Sequence, residues 1–118
     1  IVDGQTHGGI VQGVGQVLVE HVIHDADGQI LSGSFMDYGM PRADAFPMFR
    51  TEIAQVLSPT NPLGIKAGGE GGTTPALGVC MNAIMDALRP LGVEHFDMPA
   101  TPYRIWTEIE RAKQRNRN

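Results

Sequence analysis

The residue best placed to do chemistry in this 118-residue sequence is Glu70, which Gly68, Gly69, Gly71 and Gly72 flank on a loop running into a candidate helix. A carboxylate whose neighbours lack side chains has nothing of its own to hide behind, so a large planar ligand or a metal centre can reach it. Burial away from water would suit such a group to general-base work. The plainer readings are an exposed turn glutamate or an ion pair with Lys66, four residues earlier, and by composition alone exposed turn carboxylates are the commoner case.

The same glycines could line an anion site ahead of a helix. The order GIKAGGEGGTT, however, puts the lysine before the glycines, lacks a GK[ST] pair and sets a carboxylate where a triphosphate would sit. GGIVQGVG is no better as a dinucleotide loop, because no strand is expected before it. Among the histidines at 7, 21, 24 and 95, His21 and His24 fall where a strand is expected and would face opposite sides, so no metal ligation by protein side chains is assigned. Asp25–Gly28 opens like a calcium loop but places its glycine fourth and ends on Met36. Of the amides Gln5, Gln12 and Gln16, Gln5 stands ahead of the expected helix and is the freest to bind a ligand.

These residues need a frame. Ile10, Val11, Val14, Val17 and Leu18 form one helical stripe within residues 8–20, in a segment whose glycines at 8, 9, 13 and 15 weaken the helix but permit close approach. Asp27-Gly28 signals a β-hairpin with strands near 21–24 and 29–35, and the alternation Phe49, Thr51, Ile53, Gln55 signals a further strand. The irregular stretch SPTNPLGIKAGGEGGTTP follows, long enough to be functional. Thr73 or Thr74 is the expected cap of a helix with Pro75 in its first turn and Leu77, Met81, Ile84 and Leu88 on one face, which Pro90 and Gly92 stop. Thr101-Pro102 opens a last helix with Ile105, Trp106 and Ile109 on its apolar face and Trp106 as its anchor. The fold class expected is therefore α+β, as a single domain over 1–118 with a solvated basic tail over 112–118.

Composition sets the outer bounds. Apolar residues make up 42% and charged residues 19%, an ordinary globular mixture, with 15 glycines and 8 prolines as the unusual feature. The net charge of −4, with 11 acidic and 4 basic side chains in residues 1–100, argues against nucleic acid as a partner. No apolar run is long enough for a membrane helix, and the single cysteine, Cys80, points to a reducing, cytoplasmic setting. Because Ile1 leads within a few residues into the glycine-rich segment, the sequence reads as a piece of something larger.

Four blocks carry a resemblance. DGQTHGGIVQGVGQ, SFMDYGMPRAD, SPTNPLGIKAGGEGGT and DMPATPYRIW, in that order, resemble the C-terminal part of the molybdopterin-binding large subunit of the xanthine dehydrogenase and aldehyde oxidase family, in particular its carbon monoxide dehydrogenase-like bacterial branch. The resemblance runs from residue 3 to residue 106 and implies a molybdenum hydroxylase-type oxidoreductase. Such an enzyme oxidises an aldehyde, an N-heterocycle or carbon monoxide at a Mo–OH centre held by molybdopterin, in bacteria usually the cytosine dinucleotide form. On this reading Glu70 is the base acting on that centre, and Gln5 contacts the pterin. Gly8, Gly9, Gly68, Gly69 and Gly71 provide close backbone approach. The loop reads KAGGEGG where the family commonly has KGVGEAG, so Ala67 replaces a glycine while Gly68 and Gly71 replace small side chains, at a cost in conformational entropy on ordering.

The partners implied are the rest of the large subunit together with iron–sulfur and flavin subunits or domains. An apolar face left open is expected to be covered by one of these or by self-association. The fragment alone should be inactive. The reading weighed against it is a catalytically silent structural or interaction module derived from the same family. Substrate identity and the presence of copper lie with residues outside this sequence.

Overall fold

The computed structural model describes residues 1–117. Helix α1 spans Val2–Leu18, α2 Thr73–Leu88 and α3 Pro102–Arg115, with short 3-10 turns at Ala43–Ala45 and Arg89–Leu91. Helix α1 begins ahead of the apolar stripe, so Gln5 lies inside it. Its buried positions are Gly9, Gly13, Gly15 and Val17, whereas Ile10, Val11, Val14 and Leu18 of the apolar stripe are only partly buried. A Cβ on Gly13 would lie 2.7 Å from the Ala76 Cβ and 2.8 Å from the Thr73 carbonyl oxygen, so the bare stripe lets α2 lie directly on the α1 backbone. Each interior glycine costs a helix about 1 kcal/mol relative to alanine, and here tertiary contact overrides that local cost.

Helix α2 presents Leu88 to Val93 and Ala112, with Ile84, Met85, Leu91, Ile105 and Ile109 packed around them, and this is the main apolar core. Gly92, with φ of 79°, turns the chain after the Arg89–Leu91 turn, as Pro90-Gly92 foretells. Thr101 caps α3, its hydroxyl accepting from the Arg104 amide at 3.4 Å. A second junction ties α1 to the segment before α3: the Ala100 amide donates to the Val17 carbonyl at 2.6 Å, and both residues are fully buried.

The α+β expectation is corrected: the described residues form three helices and no strand, only an isolated antiparallel bridge between His24 and Ile30. The Asp27-Gly28 turn itself does form, with Gly28 at φ 82° and the Asp25 carboxylate accepting from the amides of Asp27 and Gln29. The hairpin strands at 21–24 and 29–35 do not, because the Ser32 hydroxyl, in place of a backbone carbonyl, takes the Ile23 amide at 2.9 Å and interrupts the ladder. The expected strand at Phe49–Gln55 does not form, since no neighbouring strand among the described residues supplies its hydrogen bonds.

Three smaller expectations change as well. Thr73 and Thr74 do not cap α2; Gly72 holds that position, and the Glu70 carbonyl accepts from both threonine amides at 3.1 Å. Trp106 is no anchor, being 57% exposed beside Tyr103, while Ile105 and Ile109 do the packing. Residues 112–115 belong to α3, with Ala112 buried and Lys113 and Arg115 paired with Glu110 and Glu108.

The molecule is elongated, 63 × 37 × 28 Å, with a radius of gyration of 18.5 Å where a compact chain of this length would have about 13.5 Å. It exposes 9125 Å², against about 6,200 Å² for a globular protein of its mass.

Candidate active site

Helix α1 and the start of α2 converge on the glycine loop. Gln5, Gly9 and Gly13 recur every fourth residue and so share one face of α1. Along that face Gln5 Nε2 donates to the Gly69 carbonyl at 2.9 Å. One step on, the α-carbon of Gly72 rests on α1 so closely that a Cβ there would lie 2.6 Å from the Thr6 carbonyl oxygen and 3.0 Å from the Ile10 amide nitrogen. A Cβ on Gly9 would lie 3.0 Å from the Thr73 amide nitrogen. Thr73 Oγ1 also donates to Gln12 Oε1 at 3.4 Å. Glu70 and Gly71 are thus strung between two fixed points, Gly69 and Gly72.

Upstream, the loop is held by its own side chains. Asn61 bonds Ile65 twice, its Nδ2 donating to the carbonyl and its Oδ1 accepting from the amide, each at 2.9 Å. The Ser58 amide donates to the Gly64 carbonyl at 3.0 Å. The chain therefore enters Lys66–Gly69 from an ordered turn.

The Glu70 carboxylate is exposed and makes no hydrogen bond or ion pair with any described residue, so the pairing with Lys66 does not form. Around it the backbone is open: Cβ atoms built on Gly68 and Gly69 would meet nothing within 4 Å, and one on Gly71 only the Gly68 carbonyl at 3.7 Å. Gly8, on the neighbouring flank of α1, is equally open. The structure therefore brings Gln5, Gly68, Gly69, Glu70 and Gly71 together, with Gly8 beside them, whereas Gly9 is taken up by contact with Gly72 and Thr73. This arrangement fits one wall of a site for a large, flat, hydrogen-bonding group, with an acceptor carboxylate beside it. An apolar groove of about 420 Å³ between Ile10, Val14, Phe49, Pro75 and Val79 runs alongside Gly71.

Two polar constellations escape a reading of spacing alone. The Thr51 hydroxyl donates to the Asp3 carboxylate and lies 3.4 Å from His7 Nε2, which is 3.8 Å from Asp3, while the His7 ring meets Phe49 edge-on. Asp3 and His7 are four apart, a signal that becomes visible only if the helix begins at residue 2. The Tyr38 hydroxyl donates to the Glu20 carboxylate, and that hydrogen bond, with some desolvation and the adjacent negative charge, raises the Tyr38 phenol above its ordinary value. The Cys80 thiol is raised by burial. Among the described residues no three metal-binding side chains gather around a common point, and no helix is long and apolar enough to cross a membrane.

A family model described as a molybdopterin cofactor-binding domain matches residues 1–47. The sequence is 38% identical over 105 residues to the nicotine 6-hydroxylase large subunit of Paenarthrobacter nicotinovorans, covering 89% of this chain and 13% of that one. It is 34% identical over 110 residues to the carbon monoxide dehydrogenase large chain of Hydrogenophaga pseudoflava, covering 93% of this chain and 14% of the relative. The fold superposes on reconstituted carbon monoxide dehydrogenase from Oligotropha carboxidovorans with a TM-score of 0.89 at 30% identity, over 97% of this chain and 14% of that one. The chain thus spans about a seventh of the length of the relatives it matches.

Proposed function

We propose that this chain, similar along nearly its whole length to part of the molybdopterin-binding large subunits of carbon monoxide dehydrogenases and xanthine dehydrogenases, is the C-terminal portion of a molybdenum hydroxylase-type oxidoreductase. In this role it supplies the base and one wall of the cofactor cradle, and is inactive alone. The observation that carries this reading is the Glu70 carboxylate, unpaired on a side-chain-free loop that Gln5 holds against α1.

When bound, molybdopterin in the cytosine dinucleotide form would supply a metal centre able to accept the electrons of the oxidation. The residues of this chain bind and deprotonate. Gln5 offers its amide, and Gly8, Gly68 and Gly69 offer backbone without steric cover, so a large, flat group can approach to van der Waals distance. Glu70, free of internal partners, accepts the proton released as the substrate carbon is oxygenated, and the rest of the subunit closes over the carboxylate to exclude water. The remaining large-subunit polypeptide and iron–sulfur and flavin subunits complete the electron path. A cytoplasmic location accords with a lone thiol at Cys80 that has no disulfide partner.

Glu70→Gln in the complete enzyme tests the assignment. Removing a general base costs about 10²–10⁴ in rate. We expect that loss in turnover at unchanged molybdenum content; wild-type turnover at full loading would remove Glu70 from the mechanism.

A further inference from the structure

We propose that Gln5 is a positioning residue for Glu70, clamping the base loop to α1 through the Gly69 carbonyl. The proposal rests on the reading of Glu70 as the base and adds a second task to the side chain that the family resemblance sets against the cofactor. The backbone of Glu70 is bounded on its C-terminal side by firm contacts: Gly72 seated on Thr6 and Ile10, and the Glu70 carbonyl receiving the amides of Thr73 and Thr74. On its N-terminal side three residues without a bulky side chain, Ala67, Gly68 and Gly69, lead in, and Cβ atoms on Gly68 and Gly69 would touch nothing. No side-chain packing can hold that stretch. The Gln5 Nε2 to Gly69 oxygen bond of 2.9 Å ties it to the same helix face that carries Gly9 and Gly13.

The bond also fixes which way the amide faces. A carbonyl oxygen only accepts, so Gln5 must turn its nitrogen to the loop, leaving Oε1 as the acceptor for a donor on the cofactor. One side chain then bridges the cofactor and the residue next to the base. A change that spoils the donor should loosen Glu70 without disturbing α1, since the Gln5 side chain is exposed.

Gln5→Glu, which keeps the length and removes the N–H donor, and Gln5→Met, which removes both polar atoms, separate the clamp from the cofactor contact. In the complete polypeptide prepared without cofactor, both should speed hydrogen exchange at the Thr73 and Thr74 amides by about fivefold, the loss expected for one hydrogen bond. Amides from Gly13 to Leu18 should keep their wild-type rates. Unchanged exchange at Thr73 and Thr74 would overturn the proposal. In the loaded complex both variants should lower kcat per molybdenum atom while leaving KM unchanged; wild-type kcat per molybdenum would equally overturn it. Because the exchange measurement needs no cofactor, a loosened loop in a protein that never takes up molybdenum would count against the molybdenum reading and leave the Gln5–Gly69 contact standing.

Discussion

Glu70 and Gln5 owe their value to what surrounds them and not to their own chemistry, since each is a common residue type exposed on a surface. What distinguishes Glu70 is the open backbone at Gly68 and Gly69, and what distinguishes Gln5 is its bond into that backbone. Tyr38 is the contrasting case, a phenol made unusual by a direct hydrogen bond to the Glu20 carboxylate. Its folded-state value is raised, so the contribution of this pair is fully present below the ordinary phenol value and is lost as pH rises through the raised one. We expect alkaline titration of phenolate absorbance to contain a late phase that Tyr38→Phe deletes and Glu20→Gln moves back to the ordinary value. A wild-type curve unchanged by Glu20→Gln would exclude the coupling.

Two helices meet backbone to backbone at the element scale, and the loop inherits its position from that meeting. Gly13 and Gly72 leave no room for a methyl group and Gly9 leaves little, while Gly8 leaves ample room within this chain. Gly13→Ala should therefore destabilise the protein by about 1–3 kcal/mol through overpacking. Denaturant unfolding of the complete protein measures it, and a variant as stable as wild type would show that α1 and α2 are not so tightly joined. Gly8→Ala should leave stability unchanged or raise it by up to about 1 kcal/mol, as expected for alanine in a helix. If Gly8 faces the cofactor, the same methyl should lower the molybdenum content of a protein that unfolds normally. Full molybdenum content would take Gly8 out of the cradle.

The whole molecule does not close on itself. Its exposed area exceeds that of a globular protein of its mass by about 2,900 Å², and Ile53 of the expected strand, with Val56, Leu57, Leu63 and Ile65 in the chain that follows it, stand more than 60% exposed. A chain with this much apolar surface uncovered lacks the burial to offset its ordering entropy. Produced alone, the 118-residue piece should bind a hydrophobic dye and exchange most of its amides quickly, and production together with the rest of the subunit should suppress both. A monomeric piece that unfolds cooperatively on its own would refute this account of where its stability comes from.

The helices α2 and α3, the Asp27-Gly28 turn and the stop at Pro90-Gly92 are legible in the sequence because each is specified by neighbours within a few residues: an apolar repeat, a proline in a first turn, a glycine able to adopt positive φ. The bare loop around Glu70 is legible for the same reason. What distant segments decide is not. The alternation at Phe49–Gln55 marks residues suited to a sheet, but a strand needs a neighbour to pair with and none of the described residues supplies one. The early start of α1, the burial of Gly9, Gly13 and Gly15 and the reach of Gln5 to Gly69 were settled by tertiary structure, because none is specified by neighbours within a few residues.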